Sequence, residues 1–152
     1  MRRHILSIMM AMALAMGVAS CELERDHNGD LAGYWHLERV DTLQTGGVKD
    51  MSRDRVFWAV QGKLLMVRNT VEPYTGFFFR FDNSGDYLIL SNPHSNGGPQ
   101  TDGAEGAQPI TDVKYLAPYG INSLEERFHK DQFTSSRLTL STDKLRLYFK
   151  KL

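Results

Sequence analysis

From Leu31 to the end of the chain, apolar and polar residues alternate with a period near two, and Gly, Asn, Asp and Ser interrupt the pattern at short intervals. Successive side chains of a strand point to opposite faces, so the pattern predicts a series of half-buried strands. The first spans 33–41, with Trp35 and Leu37 on one face and His36 and Glu38 on the other. The second, 55–61, places Val56, Trp58 and Val60 together. The third, 63–69, follows after only Gly62, which predicts a tight hairpin. The fourth, 75–82, sets Phe77, Phe79 and Phe81 opposite Phe78 and Arg80. Asn83-Ser84-Gly85 reads as a turn, and the fifth strand, 86–91, opposes Tyr87 and Ile89 to Leu88 and Leu90. The sixth, 125–131, has the weakest alternation, with a short helix after Ser123 as its alternative. The segments 137–141 and 144–150 form the last hairpin around Thr142-Asp143. The final strand points Leu145, Leu147 and Phe149 inward and Arg146, Tyr148 and Lys150 outward.

Eight short, sequential strands joined by hairpins imply an all-β fold with an antiparallel up-and-down arrangement. Eight strands can close into a barrel just wide enough to be filled by side chains or to hold one small ligand. Closure removes the edges that recruit other chains. It also requires the last strand to pair with the first near Trp35, in the one register that keeps Leu145, Leu147 and Phe149 out of water. Residues 92–110 break the pattern, with four glycines and three prolines between Pro93 and Pro109. A loop of that length covers a barrel mouth, meets a partner protein or is an inert insertion. Residues 112–117 are expected to form one helical turn, ended by Pro118.

The first thirty residues follow different rules. Met1-Arg2-Arg3-His4 is basic, and 5–18 is uncharged and mostly apolar. That run is too short to span a bilayer and fits the core of a secretory signal, expected as a helix with few contacts to the barrel. It ends in Gly17-Val18-Ala19-Ser20-Cys21, which resembles the lipobox of bacterial lipoproteins, with Val18 where Leu is usual. The resemblance implies a diacylglyceryl group on the Cys21 thiol and cleavage just before it. The expected organisation is therefore a signal peptide at 1–20, a lipid-attached tether at 21–30 and a barrel domain at 31–152. Cys21 is the only cysteine, so no intramolecular disulfide forms, and acylation accounts for it. Each buried acyl CH₂ contributes about 0.8 kcal/mol, so two or three chains anchor stably. Residues 22–30 are polar, charged and aperiodic, as a flexible tether would be. Glu22, Glu24 and Asp26 resemble the export signals of surface-exposed lipoproteins. The expected location is the cell envelope, lipid-anchored at the outer membrane.

Leu31-Ala32-Gly33-Tyr34-Trp35-His36-Leu37 resembles the opening strand of lipocalins, where a G-x-W motif begins the barrel. Tyr119-Gly120-Ile121, Phe128, Leu138, Leu140 and the closing Leu147-Tyr148-Phe149-Lys150 are similar to the end of the lipocalin-like domain in Bacteroidales lipoproteins. This resemblance covers most of the chain after Cys21. It implies a β-barrel on an acylated stalk with Trp35 plugging the closed end, and it transfers a fold and a location more than an activity.

Charge narrows the partners. Removing Arg2 and Arg3 with the signal leaves 16 basic against 18 acidic residues, a net charge of −2. Nucleic-acid-binding domains carry a clustered basic surplus, so nucleic acid is not an expected partner. The best candidate for an apolar ligand site is Phe77, Phe79 and Phe81 with Trp58, Met66 and Tyr87, since pockets for apolar molecules need such walls. The same rings would equally fill the barrel. His36 and Glu38 share a strand face as two metal ligands might, but no third ligand follows, so no metal is expected. No G-x-S-x-G, P-loop or H-E-x-x-H occurs, nothing calls for a cofactor, and an enzyme is not expected. Two roles remain: binding a small apolar ligand in the envelope, or serving as a structural or interaction module with a filled barrel.

Overall fold

In the computed structural model, which describes residues 27–71, 76–96 and 106–152, the alternating segments form nine antiparallel strands of one sheet. They are β1 (Gly33–Thr42), β2 (Gly47–Asp50), β3 (Val56–Gln61), β4 (Leu64–Asn69), β5 (Phe77–Ser84), β6 (Tyr87–Ser95), β7 (Glu126–Phe133), β8 (Arg137–Ser141) and β9 (Leu145–Lys151). The order is β2-β1-β3-β4-β5-β6-β7-β8-β9, and β1 also pairs with β9. Eight strands thus close into an up-and-down barrel, with β2 as an extra strand. Closure occurs where the alternation required it: Trp35 lies opposite Lys151, and Val40 opposite Leu147. The expected signal helix and most of the tether precede His27 and lie outside the described residues.

β1 can serve three neighbours because it is long. Residues 33–36 pair with β3, residues 39–42 pair with β2, and the other edge pairs with β9. Between Leu37 and Arg39 the β1–β9 register shifts, so the strand bends at Glu38. Similar shifts fall between Phe78 and Arg80 and between Lys130 and Gln132. Such irregularities turn the corners that a small closed barrel needs.

The structure corrects the expected elements at several points. β2 was not anticipated: its four residues are all exposed and carry one apolar side chain, so burial imposes no alternation on them. β6 runs on to Ser95, through Asn92 (φ 51°) and Pro93, which the bulge opposite Phe79 absorbs. Asn83 and Ser84 belong to β5, and the turn is at Gly85-Asp86. The strand expected at 125–131 is present as β7, and the helical alternative after Ser123 is not taken. In place of one helical turn ended by Pro118 there are two 3₁₀ turns, Val113–Tyr115 and Ala117–Tyr119. Pro118 sits in the first positions of the second turn, where its missing N–H costs nothing.

Alternation delivers the core. Val56, Trp58 and Val60 of β3, Leu65 and Val67 of β4, Leu88 and Leu90 of β6, and Leu147 and Phe149 of β9 are all buried inside. Both ends of the barrel are closed by local chain. At the end where the chain comes in, Leu31 closes a 3₁₀ turn (Gly29–Leu31) and is wholly buried. The Trp35 indole, 1 % exposed, donates its Nε1–H to the Leu31 carbonyl at 2.8 Å. The plugging role expected of Trp35 is the one it takes, and its N–H is satisfied. At the opposite end, Leu116, Tyr119 and Ile121 are buried beneath the two 3₁₀ turns. Gly120 permits this: its φ is 84°, and a Cβ there would lie 2.7 Å from Leu147 Cδ2.

Candidate functional site

The six residues proposed from sequence as ligand walls divide among three environments. Trp58 and Phe79 are fully inside, each 1 % exposed. Phe77 and Phe81 are partly buried and pack against the core from within β5. Met66 alternates with the buried Leu65 and Val67, so it points outward. Tyr87 is also outward, exposed opposite the buried Leu88. The structure therefore brings Trp58, Phe77, Phe79 and Phe81 to the interior and removes Met66 and Tyr87 from it. Met66 lies in an unbroken apolar run, Leu64 to Val67, where period two cannot choose a face.

The interior rings are packed against one another. Trp58 meets Phe149 with centroids 4.9 Å apart and Phe128 at 5.6 Å, edge-on. Phe77 meets Tyr119 edge-on at 5.7 Å. The Trp58 indole Nε1–H donates to the Tyr119 carbonyl at 3.2 Å. Tyr119 therefore packs at the barrel mouth against Trp58 and Phe77. Its tripeptide, Pro118-Tyr119-Gly120, was the available sequence signal, since a Pro followed by an aromatic and a Gly marks a tight, buried turn.

Concave apolar surface appears on the outer wall. A groove of about 480 Å³ crosses β1, β3, β4 and β5, lined chiefly by Tyr34, Ala59, Gln61, Leu64, Met66 and Phe78. A second hollow of about 350 Å³ shares Leu64 and Phe78 and continues to Asn92, His94 and Ala107. The short alternate side chain Ala59, between Met66 and Tyr34 in register, leaves the floor of the groove low.

A polar cluster lies on the far wall. Asp131 accepts from His129 Nδ1 at 2.8 Å, from Ser141 Oγ at 2.8 Å and from Arg146 Nε at 2.9 Å. Burial pushes the Asp131 carboxyl up, but these three hydrogen bonds together outweigh it and hold the group below its usual range. Ser, His and Asp are thus neighbours, yet Ser141 donates to the carboxylate rather than to the imidazole. A nucleophile must hand its proton to the base, so this geometry gives no activated serine. The Arg127 guanidinium covers the Tyr87 ring at 3.8 Å. On the first strand, His36 directs Nδ1 to Glu38 (2.7 Å) and Nε2 to the Asp54 carbonyl (2.6 Å), so neither nitrogen is free to ligate a metal. Among the described residues, no three His, Cys, Asp or Glu side chains are grouped to hold a metal ion.

A family model described as a lipocalin-like domain matches residues 14–152. Among solved structures, a lipocalin-like protein from Bacteroides uniformis ATCC 8492 superposes with a TM-score of 0.60 at 20 % identity, covering 82 % of this chain and 100 % of that one. An uncharacterized protein from Bacteroides eggerthii DSM 20697 superposes with a TM-score of 0.55 at 16 % identity, covering 80 % and 98 %. No curated protein matches the sequence.

Proposed function

Since the chain belongs to the lipocalin-like domain family, we propose that it is an acylated envelope lipoprotein whose barrel is a filled, non-enzymatic scaffold acting through its outer surface. The observation that carries this reading is the Trp58–Tyr119 hydrogen bond, with the packing of Leu116, Tyr119 and Ile121 across one mouth and of Leu31 and Trp35 across the other. A barrel of eight strands has room for side chains or for a ligand, and here aromatic side chains take the interior. The anchor rests on Val18-Ala19-Ser20-Cys21. No helix among the described residues is long and apolar enough to cross a membrane.

Two measurements test this. Cys21→Ala should abolish the N-terminal lipid mass shift and move the protein out of the membrane fraction. If wild type and variant fractionate alike, the anchor reading fails. Titration with a fluorescent fatty acid should leave the emission of buried Trp58 unchanged. A saturable change relieved by Phe79→Ala would place a ligand inside and defeat the filled-barrel reading.

A second reading, a small apolar ligand bound in the envelope, draws on the outer groove, whose volume lies within the usual range for small-molecule sites, roughly 300–1,000 Å³. It predicts probe binding that Met66→Asp abolishes and Phe79→Ala spares.

A further inference from the structure

The geometry points to a membrane-docking surface at the end of the barrel where the chain comes in, suited to a bilayer carrying anionic headgroups. This deepens the lipoprotein reading and rests on it for the tether. In an up-and-down barrel, the incoming chain, the β3–β4, β5–β6 and β7–β8 turns and the end of β9 all fall at one end. Here the first described residues are tied to that end. Asn28 Nδ2 donates to the Gly62 carbonyl in the β3–β4 turn at 2.8 Å, and Lys151 Nζ donates to the Asp30 carbonyl at 2.7 Å. Cys21 lies seven positions before Asn28. Seven extended residues reach at most about 25 Å, so a lipid on Cys21 holds this end, and not the other, close to the headgroups.

The side chains presented there suit that neighbour. Tyr34 is 48 % exposed and Leu152 75 % exposed, and they are adjacent, since the Leu152 N–H donates to the Tyr34 carbonyl at 3.0 Å. Leu64, also exposed, follows the β3–β4 turn and opens the outer groove. Phe133 lies beside the Trp35 plug, ring centroids 6.5 Å apart. Around them stand Lys63 in the turn, Arg137 opposite Lys150 in register, and Lys151 over the Trp35 ring at 5.1 Å. In the turns of this end, among the described residues, the acids are Asp30 and Asp86. The opposite end interleaves acids with bases, as where Asp112 pairs Lys114 at 2.7 Å. Tyr rings settle at the headgroup level, and each Lys or Arg brought to an anionic surface raises partitioning roughly fivefold.

Nitroxide labels on the acylated protein test the inference, one at Leu64→Cys on this surface and one at Val48→Cys in β2 at the other end. The protein is reconstituted in phosphatidylcholine vesicles with and without phosphatidylglycerol, and accessibility to oxygen and to a water-soluble nickel chelate is measured. On anionic vesicles the label at 64 should gain oxygen and lose nickel access, while the label at 48 stays aqueous. The triple variant Lys63→Glu, Arg137→Glu, Lys150→Glu, still floating with vesicles and with an unchanged unfolding midpoint, should return the label at 64 to water. Equal aqueous exposure of both labels in the wild type overturns the docking surface while leaving the anchor intact. Shielding at 64 that survives charge reversal overturns it in favour of a second protein copy. Failure to float rejects the anchor and the docking together.

Discussion

Trp58 and Tyr119 are joined across 61 positions of sequence by the indole N–H and a main-chain carbonyl, 3.2 Å apart. The bond links the middle of β3 to the segment that covers the barrel mouth, so it couples closure of the mouth to the interior packing. Trp58→Phe keeps an aromatic ring against Phe128 and Phe149 but removes the donor. The lost hydrogen bond contributes about 0.5–1.5 kcal/mol, and the lost ring volume adds to it. A destabilisation of about 1–3 kcal/mol is expected in a denaturant titration. Amides of 116–121 should also exchange faster with solvent. An unchanged midpoint and unchanged exchange would contradict the coupling.

Gly120 and Leu147 should behave as a coupled pair. Gly120→Ala combines left-handed strain with an overpacked contact and should cost about 2–4 kcal/mol. Leu147→Ala, at a wholly buried position, should cost about 2–5 kcal/mol. Leu147→Ala also vacates the space the new methyl needs, so the double variant should cost less than the sum, by about 0.5–3 kcal/mol. Strict additivity would mean the two side chains do not meet. Tyr148→Ala, on the outer face, where its hydroxyl donates to Asp41 at 3.1 Å, should cost less than Leu147→Ala.

Facing along β4 can be read from a pair of charge insertions. Leu65 is wholly buried and its neighbour Met66 lies in the outer groove. Leu65→Asp places an unpaired carboxylate in the core and should prevent folding at neutral pH. Met66→Asp should leave a cooperative unfolding transition within about 1 kcal/mol of wild type, as surface changes do. The reverse ranking in circular dichroism melts would mean that β4 is inverted.

Acid should destabilise the protein through Asp41 and Asp131. The hydrogen bond from Arg39 holds the Asp41 carboxyl below its usual range, with the Tyr148 hydroxyl adding to the effect against burial. Asp131 is lowered in the same direction. A carboxyl whose folded pKa is depressed contributes stability that is fully present above its unfolded value, about 3.9, and is lost as pH falls through the folded pKa. Stability should therefore decline below about pH 4, and the decline should be shallower in Asp41→Asn. Parallel pH profiles of wild type and Asp41→Asn would remove Asp41 from the account.

Much of the barrel was legible because period two constrains each strand separately. Trp35, Leu37, Val56, Trp58, Val60, Leu147 and Phe149 occupy the faces their alternation assigned, and the β1–β9 pairing follows once both strands need the same interior. The candidate ligand walls were half legible. Phe77, Phe79 and Phe81 share a face as expected, but Met66 and Tyr87 required a choice that local pattern could not make. Met66 is flanked by apolar residues on both sides, and Tyr87 is a large ring on an outward face under Arg127.

By itself the sequence determined the spacing of eight strands, the inward faces of those that alternate cleanly and the closure of the last strand on the first, since each depends on side-chain type at fixed local intervals. Tertiary structure alone decided what covers the barrel mouth and packs against the interior rings. That outcome depends on the burial of Leu116, Tyr119 and Ile121, on Tyr119 meeting Trp58 of β3 and Phe77 of β5, and on the absence of a Cβ at Gly120 beside Leu147 of β9. It likewise decided the outer groove, because a groove exists only where Ala59, Met66 and Phe78 from three strands fall in register. Local periodicity carries no information about volume, which is set by what the rest of the chain brings to the same place.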